Sequence, residues 1–469
     1  MKILLLYPPQ PRVKGGLSPS YIQQRYSFLY PPLGLLYLAS NVDRNKYQVK
    51  VIDSIALKLS IKECIDYIKE FKPDILGMTV LSDSVYSAKT IAEGVKALFP
   101  NIKIVFGGPH TNIYPYETMR FEAVDFCLQY FAEVSFPILL RAIENNSGYS
   151  DVPGLFYKHK QQIYKSVVAS NANIGMDSLR IPDRRLLDSS KYFTVVDNKI
   201  IATAITSRGC PFQCTFCDVF QKKYLYRSPE NVIEEIKDIV KLGIKSIHFF
   251  DDNFNLLTDR VVRFCELLLK EKLGIEWSFR GRVMPIDDKI ARLLHASGCS
   301  RVQLGIESAD ENTLKIIKKQ IDLEQVKETI NIYKRNKIST LGYFIVGFPH
   351  ESYEDCVKSA RNAMRLGFDY VQFSVLTPYP NTEIYRQLLK EGREDHWLEF
   401  ARDPKDNYIL PHLHSTISKS KIERLVNYTY KKFYFSPQFI FKELFRTRRI
   451  RALALKINAA LKILLTREY

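Results

Sequence analysis

Three of the eight cysteines in this 469-residue chain crowd into one short stretch, Arg208-Gly209-Cys210-Pro211-Phe212-Gln213-Cys214-Thr215-Phe216-Cys217. Thiolates are the usual protein ligands of iron–sulfur clusters, and short loop spacings are the usual way to supply them. Cys210, Cys214 and Cys217 can bind three irons of a [4Fe–4S] cubane and leave the fourth without a protein ligand, open to the amine and carboxylate of a small chelating molecule. The alternative is zinc. A structural zinc wants four ligands, and no Cys or His lies near enough in sequence to complete that set; His248 could arrive only through the fold. The remaining cysteines, Cys64, Cys127, Cys265, Cys299 and Cys356, are scattered through apolar patterns and read as small buried hydrophobes. So few cysteines in so long a chain do not make a disulfide scaffold.

The elements that must position this loop are legible from periodicity. At 469 residues two or three domains are expected. Over the first 145 residues short aliphatic runs at 2–7, 48–53, 75–80, 103–106 and 124–129 alternate with amphipathic stretches at 33–42, 61–71, 84–99 and 133–145. That pattern predicts a doubly wound parallel sheet, with ligands beyond the carboxyl ends of its strands. Residues 147–199 lose the rhythm and read as a linker with a small hairpin, 155–157 against 162–165. From residue 200 the alternation resumes with strands at 202–206, 246–251, 276–280, 301–305, 340–346 and 370–376, and helices at 229–242, 259–272, 287–296, 323–336 and 353–366. Six βα units in a row predict a partial barrel of the TIM type, with its chemistry where the strands end. The cysteine loop directly follows the first of these strands.

With the loop so placed, the sequence resembles the radical S-adenosylmethionine (SAM) superfamily over about residues 200–390. The resemblance implies that SAM chelates the open iron, that one electron breaks its carbon–sulfur bond, and that a 5′-deoxyadenosyl radical results. It implies that Phe216 lies by the SAM adenine, and that Asp251 in Asp251-Asp252-Asn253-Phe254, Arg282, Glu307 and the Gly347-Phe348-Pro349 turn hold other parts of SAM. Each also has a plainer reading, since an acidic strand end can cap a helix and Gly347-Phe348-Pro349 can be a simple turn. The first domain, residues 1–146, looks like the cobalamin (B12)-binding domain of one branch of that superfamily. Thr79-Val80-Leu81 and Gly107-Gly108 are similar to its corrinoid-binding elements, and His110 is read as a pocket residue. Two departures stand out. The element that supplies an axial histidine is absent, Tyr7-Pro8-Pro9-Gln10 standing there, and the usual Gly-Glu-Gly-Glu turn is Tyr130-Phe131-Ala132-Glu133. The loss of those glycines would cost a close backbone contact to the cobalamin tail.

The resemblance therefore implies a cobalamin-dependent methyltransferase acting on an unactivated carbon, with a cyclase or rearrangement enzyme like the anaerobic porphyrin cyclases as the alternative. An RNA-modifying protein is the third reading, suggested by a net charge of +17. RNA methylthiotransferases carry three further N-terminal cysteines, whereas this chain has only Cys64 and Cys127 there, so no nucleic acid is expected. Partners implied are a small-molecule or lipid substrate and an electron donor such as flavodoxin or ferredoxin. Residues 391–469 read as a basic helical cap that would shape the substrate pocket. Between Lys431 and Tyr469 ten Lys or Arg face only Glu443 and Glu468, and 450–465 has the pattern of a basic amphipathic helix able to pack on the barrel or to lie on an anionic membrane. With no apolar run long enough to span a bilayer and no signal-peptide pattern, the expected location is cytoplasmic, or peripheral at a membrane.

Overall fold

The computed structural model describes residues 1–10, 30–160, 162–169, 175–193, 199–406, 412, 414 and 416–446, so the amphipathic stretch 450–465 lies outside the described residues. The chain folds as two compact units. The first is built on Pro31–Tyr192 with the N-terminal strand and the short helix His396–Arg402; the second on Phe193–Gly392 with the C-terminal helices.

In the first unit β1 (Lys2–Tyr7), β2 (Gln48–Asp53), β3 (Ile75–Thr79), β4 (Lys103–Gly107) and β5 (Phe126–Leu128) are parallel, in the order β2-β1-β3-β4-β5. Ile3, Leu4, Leu5 and Leu6 of β1 are all buried, because a central strand is covered on both faces and selects a continuous aliphatic run. Between the strands lie α1 (Leu33–Asn41), α2 (Ile61–Phe71), α3 (Val85–Leu98), α4 (Pro109–Ile113) and α5 (Ala132–Glu144). Helix α2 starts where Ser60 and Glu63 form a reciprocal capping box, and it buries Cys64 and Ile68, one turn apart. The hairpin expected within a linker is instead part of this sheet. β6 (Leu155–His159) pairs antiparallel with β5, and β7 (Gln162–Lys165) with β6, making seven strands. Leu155 and Phe156 drive this addition, since both are buried on the sheet.

In the second unit six parallel strands, β8 (Ile201–Ala204), β11 (Ser246–Phe249), β12 (Glu276–Arg282), β13 (Cys299–Glu307), β14 (Ser339–Val346) and β15 (Tyr370–Val375), run in the order β15-β14-β13-β12-β11-β8. The two-residue strands β9 (Ser207–Arg208) and β10 (Leu225–Tyr226) pair apart from them. Strands β8 and β15 are the two edges, so the barrel is partial, as the six repeats predict. Among its helices are α6 (Pro229–Lys241), α7 (Thr258–Glu271), α8 (Asp288–Ala296), α9 (Glu311–Ile316), α10 (Leu323–Arg335), α11 (Tyr353–Arg365), α12 (Lys419–Tyr434) and α13 (Pro437–Arg446). One face of the sheet is apolar, with Phe249, Trp277, Phe279, Leu304 and Phe344 in a single core. The residues that alternate with these are polar. Thr203, His248 and Ser278 align across β8, β11 and β12, and Arg280 aligns with Gln303.

The described part of the C-terminal region is helical as expected, but it is divided between the two units. His396–Arg402 contributes Phe400 to the core of the first unit, while α12 closes the bare edge of β15. The Tyr430 hydroxyl donates to the Phe373 carbonyl (3.2 Å) and accepts from its N–H (3.0 Å); Tyr434 does the same at Val371 (2.7 and 3.2 Å). Two hydroxyls thus satisfy edge groups that would otherwise template pairing with another strand.

Candidate active site

The cysteine loop leaves the second unit's sheet at the end of β8 and is held at both stems. Asp251, just beyond β11, is 3% exposed, and its carboxylate accepts from the Thr206 N–H (2.7 Å) and from the hydroxyls of Thr206 and Ser207. Burial raises its carboxyl, opposed by the Arg260 guanidinium and these donors. Asp252 accepts from the Gly209 N–H at 2.7 Å. The exit stem is fixed by Arg227, which forms a fully buried ion pair with Glu235 of α6 and donates to the Ile205 carbonyl at 3.2 Å. Where the stems cross, Gly209 has φ +90°, and a Cβ there would sit 2.3 Å from the Lys223 carbonyl oxygen, so only glycine fits.

Within the loop Cys210 donates its N–H to Gln221 (2.9 Å), Thr215 to Ile317 (3.1 Å) and Cys217 to Cys214 (3.2 Å), which leaves three partly exposed thiols on an ordered turn. Burial pushes the Cys217 thiol up to about 11 and raises that of Cys210 as well. Coordination needs thiolates, so loading iron here releases protons. A structural zinc wants four ligands, whereas a cubane takes one thiolate per iron, and this loop supplies three.

Arg282 closes over the loop from the end of β12. Its Nη1 lies 3.4 Å from the Cys214 sulfur, its guanidinium covers the Phe212 ring at 3.9 Å, and its Nη2 is buried without a hydrogen-bond partner. Three thiols, a buried guanidinium and a spare donor fit an anionic cluster with an anionic chelating ligand. Asn255 fixes the strand end there, accepting from the Arg282 N–H (3.1 Å) and donating to its carbonyl (2.9 Å). Glu307 ends β13 at φ +74°, a conformation rare for a non-glycine residue, and pairs with Lys319 at 3.0 Å. A Cβ on Gly305 would fall 2.3 Å from the Glu307 carboxylate, so that glycine makes room for the pair. Phe216 packs edge-on against Phe348 at 6.0 Å, which joins two of the expected SAM-binding elements. The Gly347-Phe348 turn is itself tied to buried Glu351, which accepts both N–H groups at 2.8 and 2.9 Å.

The expected residues thus fall together at the carboxyl end of one sheet, but with divided labour. Cys210, Cys214, Cys217 and Arg282 meet at the loop, Phe216 meets the turn after β14, and Asp251 is spent on Thr206 and Ser207 at the loop's entry. Asn255, Arg227, Glu235, Lys319 and Glu351 were not singled out from the sequence, and Asp252 was quoted only as part of the Asp251-Asp252-Asn253-Phe254 stretch. The adjacent acids Asp251-Asp252 were the available signal for Asp252.

In the first unit the other expected site also lies at the strand ends. Val80 donates to Gly107 (2.7 Å) and His110 donates its N–H to Val80 (3.0 Å), which places Thr79, Leu81, Gly107, Gly108 and His110 around the ends of β3 and β4. Gly108 has φ +103°, and a Cβ would meet the Val80 carbonyl at 2.9 Å and the Thr79 hydroxyl at 3.0 Å. The His110 ring is buried, with Nδ1 3.3 Å from the Ser82 hydroxyl and Nε2 without a partner; nearby in the chain, Asp83 Oδ1 is likewise buried and unpartnered. A tight glycine and orphaned polar atoms at two strand ends fit the polar tail of a bulky ligand. The turn without glycines keeps a glycine-like shape: Tyr130 takes φ +58°, and its N–H is held by Asn112 Oδ1 at 2.8 Å.

Burial lowers the His110 imidazole from 6.5 to about 4, so it is neutral in the fold. Its stabilising contribution is complete above pH 6.5 and is lost as the pH falls through 4, about 3 kcal/mol in all at 1.36 kcal/mol per unit. Urea midpoints measured from pH 7 to 4 should fall more steeply for the parent protein than for His110→Gln. Equal slopes would mean that the imidazole is not held neutral.

Comparison with known proteins finds both domain types. The model of the radical SAM superfamily matches residues 204–363 and that of the B12 binding domain residues 22–140. The fold is similar to that of the radical SAM methyltransferase TsrM from Kitasatospora setae, solved with cobalamin and a [4Fe–4S] cluster (TM-score 0.66, 17% identity, 83% of this chain and 75% of that one). It is also similar to that of OxsB, a cobalamin-dependent SAM radical enzyme (TM-score 0.73, 17% identity, 97% and 70%). At these identities the likeness is one of fold. An anaerobic magnesium-protoporphyrin IX monomethyl ester cyclase of Rubrivivax gelatinosus is 29% identical over 88% of this chain and 75% of its own. The uncharacterized methyltransferase PH0819 of Pyrococcus horikoshii is 33% identical over 95% of each chain. Both family models on one chain, with a relative 33% identical over 95% of each chain, make the chain a member of the radical SAM superfamily with a B12-binding domain.

Proposed function

We propose that the chain is a cobalamin-dependent radical SAM methyltransferase that places a methyl group on an unactivated carbon of a small-molecule substrate. The observation that carries this reading is the cysteine loop pinned beside the buried Arg282, in a chain whose other unit has a corrinoid-type glycine turn. When bound, the cluster with SAM supplies a carbon radical and cobalamin supplies the methyl group.

The protein's own residues have simpler tasks. Cys210, Cys214 and Cys217 hold the cluster. Arg282 compensates its negative charge and keeps one N–H for the SAM carboxylate. Phe216, backed by buried Phe348, offers an apolar wall for the adenine, and Glu307, poised by Lys319, offers a carboxylate to the amine or ribose of SAM. Thr79, Leu81, Gly107, Gly108 and His110 take the cobalamin tail, and a neutral His110 suits a polar pocket better than a charged one. The polar sheet face, with Tyr343 donating to Gln303 at 2.6 Å and Arg280 nearby, is where substrate is oriented. The electron comes from a flavodoxin or ferredoxin type of donor.

The test is product stoichiometry under anaerobic turnover with reconstituted protein. S-adenosylhomocysteine and 5′-deoxyadenosine should form in equal amounts, one of each per methylated product. 5′-Deoxyadenosine alone with an unmethylated product would overturn methyl transfer and favour a cyclase, the activity named for the Rubrivivax relative.

A further inference from the structure

The second unit has a feature that its chemistry does not use. At the end of the sheet opposite the cysteine loop, where β14 and β15 begin, a cavity of about 570 Å³ opens beside α11, α12 and α13. Five cations line it: Lys334, Arg361, Arg365, Lys432 and Lys442. The one carboxylate in its wall, Asp369, is already engaged by Lys442 and by the Thr340 N–H (2.8 Å). Met364, Phe368, Phe433 and Phe439 supply apolar surface between the cations.

Helix α13 then presents an unusual outer face. Its inner side is accounted for, since Phe439 lines the cavity and buried Glu443 accepts from the Tyr370 hydroxyl at 2.8 Å. Outward it turns Ile440, Phe441 and Leu444, which are 43%, 66% and 51% exposed. A surface helix normally hides such a row. Bulky apolar side chains flanked by Lys and Arg are what an interfacial helix presents to a bilayer.

We infer that this face of the protein docks on an anionic lipid bilayer, with a headgroup phosphate in the cationic cavity and Ile440, Phe441 and Leu444 in the boundary between headgroups and acyl chains. Charge selects this occupant. Five cations against one engaged acid would repel a second copy of the same face, while guanidinium forks match phosphate oxygens.

The test is co-sedimentation of the full-length protein with vesicles of phosphatidylcholine alone or mixed with phosphatidylglycerol. Binding should require the anionic lipid and weaken with added salt. It should fall about fivefold per charge removed in Arg361→Gln and Arg365→Gln. Phe441→Ser with Leu444→Ser should weaken it as well, while SAM cleavage by all these variants is unchanged. The proposal fails if the parent protein ignores anionic vesicles or binds neutral ones equally. It fails if the cavity and α13 variants bind as the parent does while Lys456→Gln with Lys462→Gln abolishes binding, because the tail would then be the anchor. Saturable binding of inorganic phosphate without vesicle binding, or dimerisation lost in Phe441→Ser, would also overturn it.

Discussion

Cys214→Ala should reduce SAM cleavage to the level of a protein-free control while leaving the fold intact. The Cys214 thiol has only weak contacts of its own, 3.7 Å from the Lys318 carbonyl and 3.4 Å from Arg282. Its loss from the unloaded protein should cost less than ~1 kcal/mol, so the circular dichroism spectrum and the urea midpoint should hardly move. Iron content should fall and 5′-deoxyadenosine should vanish, because two thiolates cannot keep a cubane with a single open iron. Surviving SAM cleavage would remove this loop from the chemistry.

The largest expected stability effect lies outside the loop. Glu235→Ala should cost about 3–5 kcal/mol, because it strands the Arg227 guanidinium, whose side chain is 3% exposed, without its counter-charge. Arg227 also donates to the Ile205 carbonyl (3.2 Å) and to Asn231 Oδ1 (2.7 Å), so loosening it frees the exit stem of the cysteine loop and should lower cluster occupancy too. The double variant Arg227→Met with Glu235→Leu should recover much of the loss, since replacing a buried pair by apolar groups is often neutral. Urea denaturation of the three proteins decides this. A loss below ~1 kcal/mol for Glu235→Ala would mean that the pair is open to water.

What was legible in the sequence follows from what kind of physics each element obeys. β1 could be read because a strand buried on both faces needs four consecutive aliphatic residues, and α2 because a capping box and a one-turn apolar spacing are local. The cysteine loop was legible because its chemistry depends on residue type and spacing alone. The β6–β7 hairpin was assigned to a linker because its partner, β5, is about 30 residues away and nothing local announces the pairing. Asp251 looked like a cofactor ligand, and only the fold shows its carboxylate committed to Thr206 and Ser207. Tyr130 gives no sign of φ +58°, because tyrosine has no preference for that region; Asn112, 18 residues earlier, holds it there. Nothing local marks Arg227 or Glu235, which become a buried pair only when α6 packs.

The most direct test of the central claim is the electron paramagnetic resonance spectrum of the anaerobically reconstituted, dithionite-reduced protein before and after SAM is added. A [4Fe–4S]⁺ signal whose g values shift on adding SAM is predicted, because SAM would occupy the one iron that Cys210, Cys214 and Cys217 leave open. A spectrum indifferent to SAM, or a protein that takes up zinc and no iron–sulfur cluster, would contradict the account.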